Sequence, residues 1–293
     1  MKKKNLMVQL FLNIFFIFVS SLIIIPFIML LSASISNESR ILEEGFGILP
    51  KGFDLSAYKY VFENPRAMLQ AYKITIIFSA ANTVIAVLMN AMLAFGLMKK
   101  NLPFKNGIAF YVFFTMLFNG GLVPTYLLIS TYLNLTDTIW VYIITGLVSP
   151  WNAFMMRTFF QGIPYEITES CYIDGANEYY IFFRMILPLS KPVIATIALF
   201  TLLGKWQDWM TSMYYINDPN LYSLQYMLQR ILKNIELLQL DTANTAQLSQ
   251  LAEIPSETVR MAMAVVVAGP ALVVFPFFQK YFVKGLTVGS VKG

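Results

Sequence analysis

Six stretches of the chain are long and apolar enough to cross a bilayer, and polar, turn-forming segments separate them. A spanning helix needs about 20 mainly apolar residues, each rising about 1.5 Å across about 30 Å of hydrocarbon. The stretches fall near 8–32, 74–98, 107–130, 138–157, 192–213 and 260–279. Asn119-Gly120-Gly121 and Pro124 lie inside the third and predict a kinked or broken helix. Such breaks are tolerated where neighbouring helices or a cavity satisfy the freed backbone groups. After the fourth stretch, Gln161-Gly162-Ile163-Pro164 ends a helix. Beyond it the pattern predicts a short helix over Tyr165–Ile173, a turn at Gly175, and a second helix over Asn177–Ile186 closed by Pro188 and Pro192. Asn217-Asp218-Pro219-Asn220 reads as a turn, Leu224–Leu240 as an amphipathic helix, and Asp241–Gln250 as a polar run.

Lysine and arginine placement orients these elements. Lys2, Lys3 and Lys4 precede the first stretch, and Lys99, Lys100 and Lys105 lie between the second and third. Arg157, Arg184 and Lys191 flank the connection between the fourth and fifth, while Lys280, Lys284 and Lys292 follow the sixth. The short connection after the third has no basic residue. The alternation predicts an all-α, polytopic protein with six transmembrane helices and both termini in the cytoplasm. The apolar stretch after Met1 is too long for a signal peptide and reads as an uncleaved first span.

Composition agrees: 57% of the 293 residues are hydrophobic and 13% are charged, against about 25% charged in soluble domains. The net charge of +5 is accounted for by the membrane-side bias and calls for no nucleic acid. With no histidine and a single cysteine, Cys171, the chain lacks the residues for His-based zinc sites, Ser-His-Asp triads and internal disulfides. It contains no Walker P-loop sequence. No cofactor is expected on this chain.

The polar segment between the fourth and fifth stretches carries the most information. A helix-glycine-helix knob with Glu166, Glu169, Asp174 and Glu178, facing the negative inner leaflet, suits a basic groove on a cytoplasmic protein better than lipid. Glu169-Ser170-Cys171, Asp174-Gly175-Ala176 and, nine residues after the glycine, Met185-Ile186-Leu187-Pro188 resemble the E-A-A-x-x-x-G-x9-I-x-L-P signature of permease subunits of binding-protein-dependent ABC importers. Ser170 and Cys171 stand where the signature has alanines, and Met185 where it has isoleucine. Asn119–Tyr126, Trp206-Gln207-Asp208-Trp209, Leu221–Gln225 and the tail from Gln279 are similar to the carbohydrate-uptake group, in particular the maltose-type second permease. Within it, the similarity is to the branch serving oligosaccharides released from alginate- or pectin-type polysaccharides.

The resemblance implies a type I ABC importer permease fold in the bacterial cell membrane, divided as 1–73 (first helix and outer segment), 74–280 (core) and 281–293 (cytoplasmic tail). Within the core it implies a coupling loop at 161–191 and an outer loop at 214–259. It implies a heterodimer with a homologous permease, two copies of a cytoplasmic ATPase that bind ATP and Mg²⁺, and an extracytoplasmic solute-binding protein. Glu169, Ser170, Cys171, Asp174, Gly175, Ala176, Leu187 and Pro188 would form the ATPase-coupling site, with Glu169 pairing a basic residue. In that branch the outer loop reaches the binding protein's sugar cleft and the tail contacts the ATPases.

Candidate pathway residues are fewer: Asn119, Asn152, Lys205, Trp206, Asp208 and Trp209. Ionisable residues within a span usually face a cavity or a partner, and aromatic rings beside polar groups suit sugar faces. The competing expectation for Lys205 and Asp208 is an i,i+3 ion pair at the membrane interface. Asn152, after Pro150, is expected either at a broken helix facing the pathway or in ordinary packing. A self-sufficient secondary transporter is the alternative function class. It would show inverted repeats and midplane carboxylates, neither of which is evident.

Overall fold

The computed structural model describes residues 2–99, 101–243 and 256–289, with side chains described over 7–99, 101–237 and 256–279. The expected polar run beyond Ala243 and the residues after Gly289 lie outside the described residues. Helices dominate: α1 (Lys2–Ser34), α2 (Glu38–Glu44), α3 (Ser56–Val61), α4 (Pro65–Met98), α5 (Lys105–Leu117), α6 (Leu122–Tyr132), α7 (Trp140–Ile144) and α8 (Pro150–Gln161). Then follow α9 (Tyr165–Ile173), α10 (Glu178–Leu189), α11 (Lys191–Trp206), α12 (Met210–Tyr215), α13 (Leu224–Ala243) and α14 (Ser256–Gly289). Among the described residues the only β-type pairing is an isolated bridge between Ser36 and Phe53.

Among the described residues three helices are long and apolar enough to cross a membrane: Met7–Ser34 of α1, the whole of α4, and Ser256–Gln279 of α14. Two further candidates are bent pairs, α5 with α6 at 111° and α10 with α11 at 81°. The break predicted in the third stretch is present. Gly121 adopts φ +89, Asn119 Oδ1 accepts its N–H at 2.9 Å, and Pro124 sits in the first turn of α6, where a missing N–H costs nothing. The predicted fourth span, 138–157, is not one helix. α7 ends at Ile144, Thr145–Ser149 is irregular, and α8 begins at Pro150 with Ser149 as its cap. Gly146 at φ +73 and a helix-initiating proline make continuation impossible. The predicted fifth span likewise stops at Trp206 rather than 213.

The chain divides into two units: Met1–Met68 with Leu228–Pro270, and Leu69–Met227 with Ala271–Gly293. In the first unit the segment after α1 folds back in a polar weld. Ser34 Oγ meets the Tyr58 hydroxyl at 2.9 Å, and Asp54 accepts the Ser56 N–H at 2.8 Å, holding that carboxyl below its ordinary range. Glu38 caps the start of α14, accepting the N–H groups of Glu257 (2.9 Å) and Thr258 (2.8 Å) and the Thr258 hydroxyl (2.7 Å). A carboxylate there meets both the orphan donors and the positive end of the helix dipole.

In the second unit α4 is the axis. Thr75, Ser79, Asn82, Thr83 and Asn90 are all buried on it, spaced so that they share one helical stripe. Near one end of α4, Phe78 stacks on Tyr142 with centroids 4.3 Å apart, in a cluster with Ile129, Val141 and Tyr215. Near the other, Ala91, Ala94 and Phe95 pack with Phe160, Cys171, Ile181, Ile186 and Val193. This second cluster ties α4 to α8, α9, α10 and α11, and it supports the knob described next.

Candidate functional site

The knob is built as the pattern of residues predicts, and its turn can be derived bond by bond. α9 ends at Ile173, Asp174 is its C-cap, and Gly175 takes φ +76. The Ala176 N–H donates to the Cys171 carbonyl at 2.9 Å and the Gly175 N–H to the Tyr172 carbonyl at 3.0 Å. These are the two bonds of a Schellman motif. Gly175 is required for its backbone: a Cβ there would meet nothing of this chain within 4 Å, but the left-handed conformation penalises it. Cys171 is buried and Ala176 packs against the same apolar cluster, the hydrophobic contact that accompanies the motif. Asn177 then caps α10 by accepting the Tyr180 N–H at 2.8 Å.

Glu166, Ser170, Cys171, Asp174, Gly175, Ala176 and Met185 line one concavity of ≈ 870 Å³ on the knob. Glu169 is exposed beside it and makes no ion pair among the described residues. Leu187 packs on the apolar cluster, and exposed Pro188 lies within the last turn of α10 rather than closing the helix before it. The segment Ile181–Ile186 is a π-helical turn, which residue pattern alone does not announce. The Tyr172 hydroxyl donates to both carboxylate oxygens of Glu178, at 3.1 and 3.2 Å. Partial burial and the adjacent carboxylate push that phenol up to about 12.

The second constellation surrounds the break at 145–149. Asn82 donates to the carbonyls of Ile143 (2.7 Å), Thr145 (3.2 Å) and Tyr142 (3.4 Å). Asn90 donates to the Leu147 carbonyl at 2.8 Å and accepts the Ser149 N–H at 2.9 Å. Two buried amides thus supply the hydrogen bonds that a continuous helix would have made for itself. Sequence reasoning passed over both, although two asparagines in one stripe of an otherwise apolar span were a visible signal.

Lys205 and Asp208 form the expected i,i+3 pair at 3.6 Å, but turned inward, their side chains 14% and 15% exposed. The Lys205 ammonium also reaches Thr145 Oγ1 at 3.4 Å. Asp208 accepts the Thr211 N–H (3.0 Å) and hydroxyl (2.7 Å), so it caps α12 across the break after Trp206. Trp206 is buried, 6.4 Å from the Tyr72 ring, and Trp209 is half-buried. Asn152 is half-buried in the first turn of α8, and Asn119 is exposed at the α5–α6 bend. Among the described residues no hydrogen bond joins either to the Lys205 group. Neighbouring Trp151 instead faces an apolar concavity of ≈ 540 Å³ with Phe110 and Phe154.

An apolar helical body with lipid-length helices, bent helix pairs and an exposed acidic knob is the architecture of a multi-pass membrane protein. No protein-family model matches the chain. Whole-length relatives do. The chain is 38% identical to Protein LplC of Bacillus subtilis (strain 168), over 94% of this chain and 91% of that protein. It is 33% identical to the polygalacturonan/rhamnogalacturonan transport system permease protein YtcP of the same organism, over 99% and 100%. Its fold is similar to a chain in the crystal structure of a bacterial ABC transporter involved in the import of the acidic polysaccharide alginate. There the TM-score is 0.77 at 25% identity, covering 95% of this chain and 98% of that one. The chain belongs to the family of sugar-transport permease subunits of ABC importers.

Proposed function

We propose that this chain forms half of the translocation pathway of an importer for oligosaccharides cut from acidic, uronate-containing polysaccharides. The observation that carries the coupling role is the Gly175 turn: an exposed, acid-edged concavity rigidly mounted on the apolar cluster of an otherwise lipid-compatible chain. In this reading a cytoplasmic ATPase, present in two copies and holding ATP and Mg²⁺, receives α9 and the Ser170–Ala176 surface, with Glu169 available to a basic partner. Leu187 and Pro188 fix where the knob joins α11. A homologous permease supplies the other half of the pathway, and an extracytoplasmic binding protein delivers the sugar. ATP-driven closure of the ATPases then reaches the spans as rigid-body movement, giving alternating access.

The same reading gives six membrane crossings in the bacterial inner (plasma) membrane with both termini cytoplasmic. The 138–157 stretch crosses as a broken segment, the bent pair α5–α6 contributes one crossing, and α11, beyond the knob, contributes another. Broken spans are admissible because their backbone is satisfied within protein, as Asn82 and Asn90 do here. The acidic substrate class is supported by the names of two similar proteins, one for polygalacturonan/rhamnogalacturonan and one for alginate. Lys205, Trp206, Asp208 and Trp209, beside the break, are its best-placed candidate contacts, with Asn119 and Asn152 more remote.

The test is to purify the chain with its native partners, reconstitute the complex in proteoliposomes, and follow uptake of oligogalacturonides and of neutral arabino-oligosaccharides. ATP-dependent uptake that favours the galacturonides is expected. Solute movement by this chain alone, without ATP, would overturn the reading in favour of a secondary transporter.

A further inference from the structure

A docking knob transmits force only if something fixes its angle to a spanning helix. The apolar cluster holds the knob by non-directional contacts, which resist separation better than they resist rotation. At the cluster's edge lies a directional link. Lys99, the residue following α4, pairs its ammonium with the Glu178 carboxylate. That carboxylate also accepts the Tyr172 hydroxyl on both oxygens. One carboxylate at the start of α10 is therefore bonded to α9 and to the end of α4 together.

The ammonium is held from the other side as well. It lies 4.7 Å from the Phe95 ring centroid, and Phe95 packs on Phe182 of α10 at 5.2 Å. Side-chain exposures of 25% for Lys99 and 50% for Glu178 make the pair a weak source of stability. What its geometry fixes is orientation. α4 in turn carries Asn82 and Asn90, which grip the broken segment at 143–149.

We infer that Lys99, Glu178 and Tyr172 are positioning residues that lock the coupling knob to α4, so that displacement of the knob is delivered to the broken segment beside the pathway. This rests on the coupling role proposed above. Without the lock the knob rotates on its apolar seat, and part of the ATPase stroke is spent there.

The experiment measures oligogalacturonide uptake and ATP hydrolysis together, on the reconstituted complex. Lys99→Met and Glu178→Gln are expected to lower sugar moved per ATP several-fold while the subunits still co-purify. The charge exchange Lys99→Glu with Glu178→Lys should recover part of that loss, which a merely structural role would not produce. Should a single variant fail to assemble, Tyr172→Phe decides instead, with a smaller fall in the same ratio. An unchanged ratio in the assembled variants, or no recovery on charge exchange, overturns the inference alone. A wild-type complex that hydrolyses ATP without moving sugar overturns the proposed function and this inference with it.

Discussion

The turn at Gly175 and the break at 145–149 both interrupt helices, and they are held in opposite ways. The first is exposed and self-sufficient: its own backbone makes the two Schellman bonds, and one glycine supplies the left-handed conformation. The second is buried and depends on α4, whose two asparagines reach roughly 60 residues along the chain (differences of 57 to 63) to satisfy it. An exposed interruption can fall back on water when perturbed. A buried one cannot, so its cost is far higher. Local closure suits a part that must meet a partner, whereas remote closure suits a part that must move with the helix gripping it.

The comparison breaks most visibly at Asn82. Asn82→Leu leaves buried carbonyls without donors at about 1–3 kcal/mol each, so a drop in the thermal midpoint of the detergent-purified chain is expected, larger than for any substitution in the knob. Equal midpoints for Asn82→Leu and Gly175→Ala would erase the distinction drawn here. Gly175→Ala comes next. The left-handed backbone costs a Cβ about 1–2 kcal/mol, borne locally, so uptake should fall while recovery from the membrane persists, and Gly175→Asn should be milder. Normal uptake by a bulky, charged Gly175→Asp would remove the docking role.

The smallest effect concerns Asp137, which receives the backbone N–H of Asn217 and that of Asp218 (3.0 Å), together with the Asn217 side-chain amide (3.2 Å). These donors hold its carboxyl below the ordinary range. The stabilisation is therefore complete above the unfolded value of about 3.9 and is lost as pH falls through the lower, folded one. Protection of the Asn217 and Asp218 amides, relative to their intrinsic exchange, should be lost in wild type as pH falls through the folded value, and Asp137→Ala should lack that protection at every pH.

The contrast also explains what was legible. The knob's boundaries were readable because every determinant lies within the segment: Pro164 before α9, Asp174-Gly175-Ala176 at the turn, Asn177 before α10. The α5–α6 break was readable for the same reason, from Gly121 and Pro124. The break in 138–157 was legible only as one of two readings at Pro150, because an apolar run with one glycine and one proline fits a span as well as two short helices. What decides is a pair of amides on a different helix. The inward turn of Lys205 was hidden likewise, since its second partner, Thr145, lies 60 positions away. The π-helical turn at Ile181–Ile186 has no composition signature.

The cap that Glu38 places on α14 bridges 219 and 220 positions of sequence, and this sets an order of events in biosynthesis. At about 5–20 residues per second, the carboxylate waits roughly 10–45 s for the donors it is shaped to receive. The first unit, assembled from two stretches far apart in sequence, cannot close until Ser256–Thr258 have left the ribosome. The second unit's core is synthesised without interruption and can mature in that interval. A nascent chain arrested before Ser256 therefore carries, after α1, a segment whose Glu38 has no helix to cap.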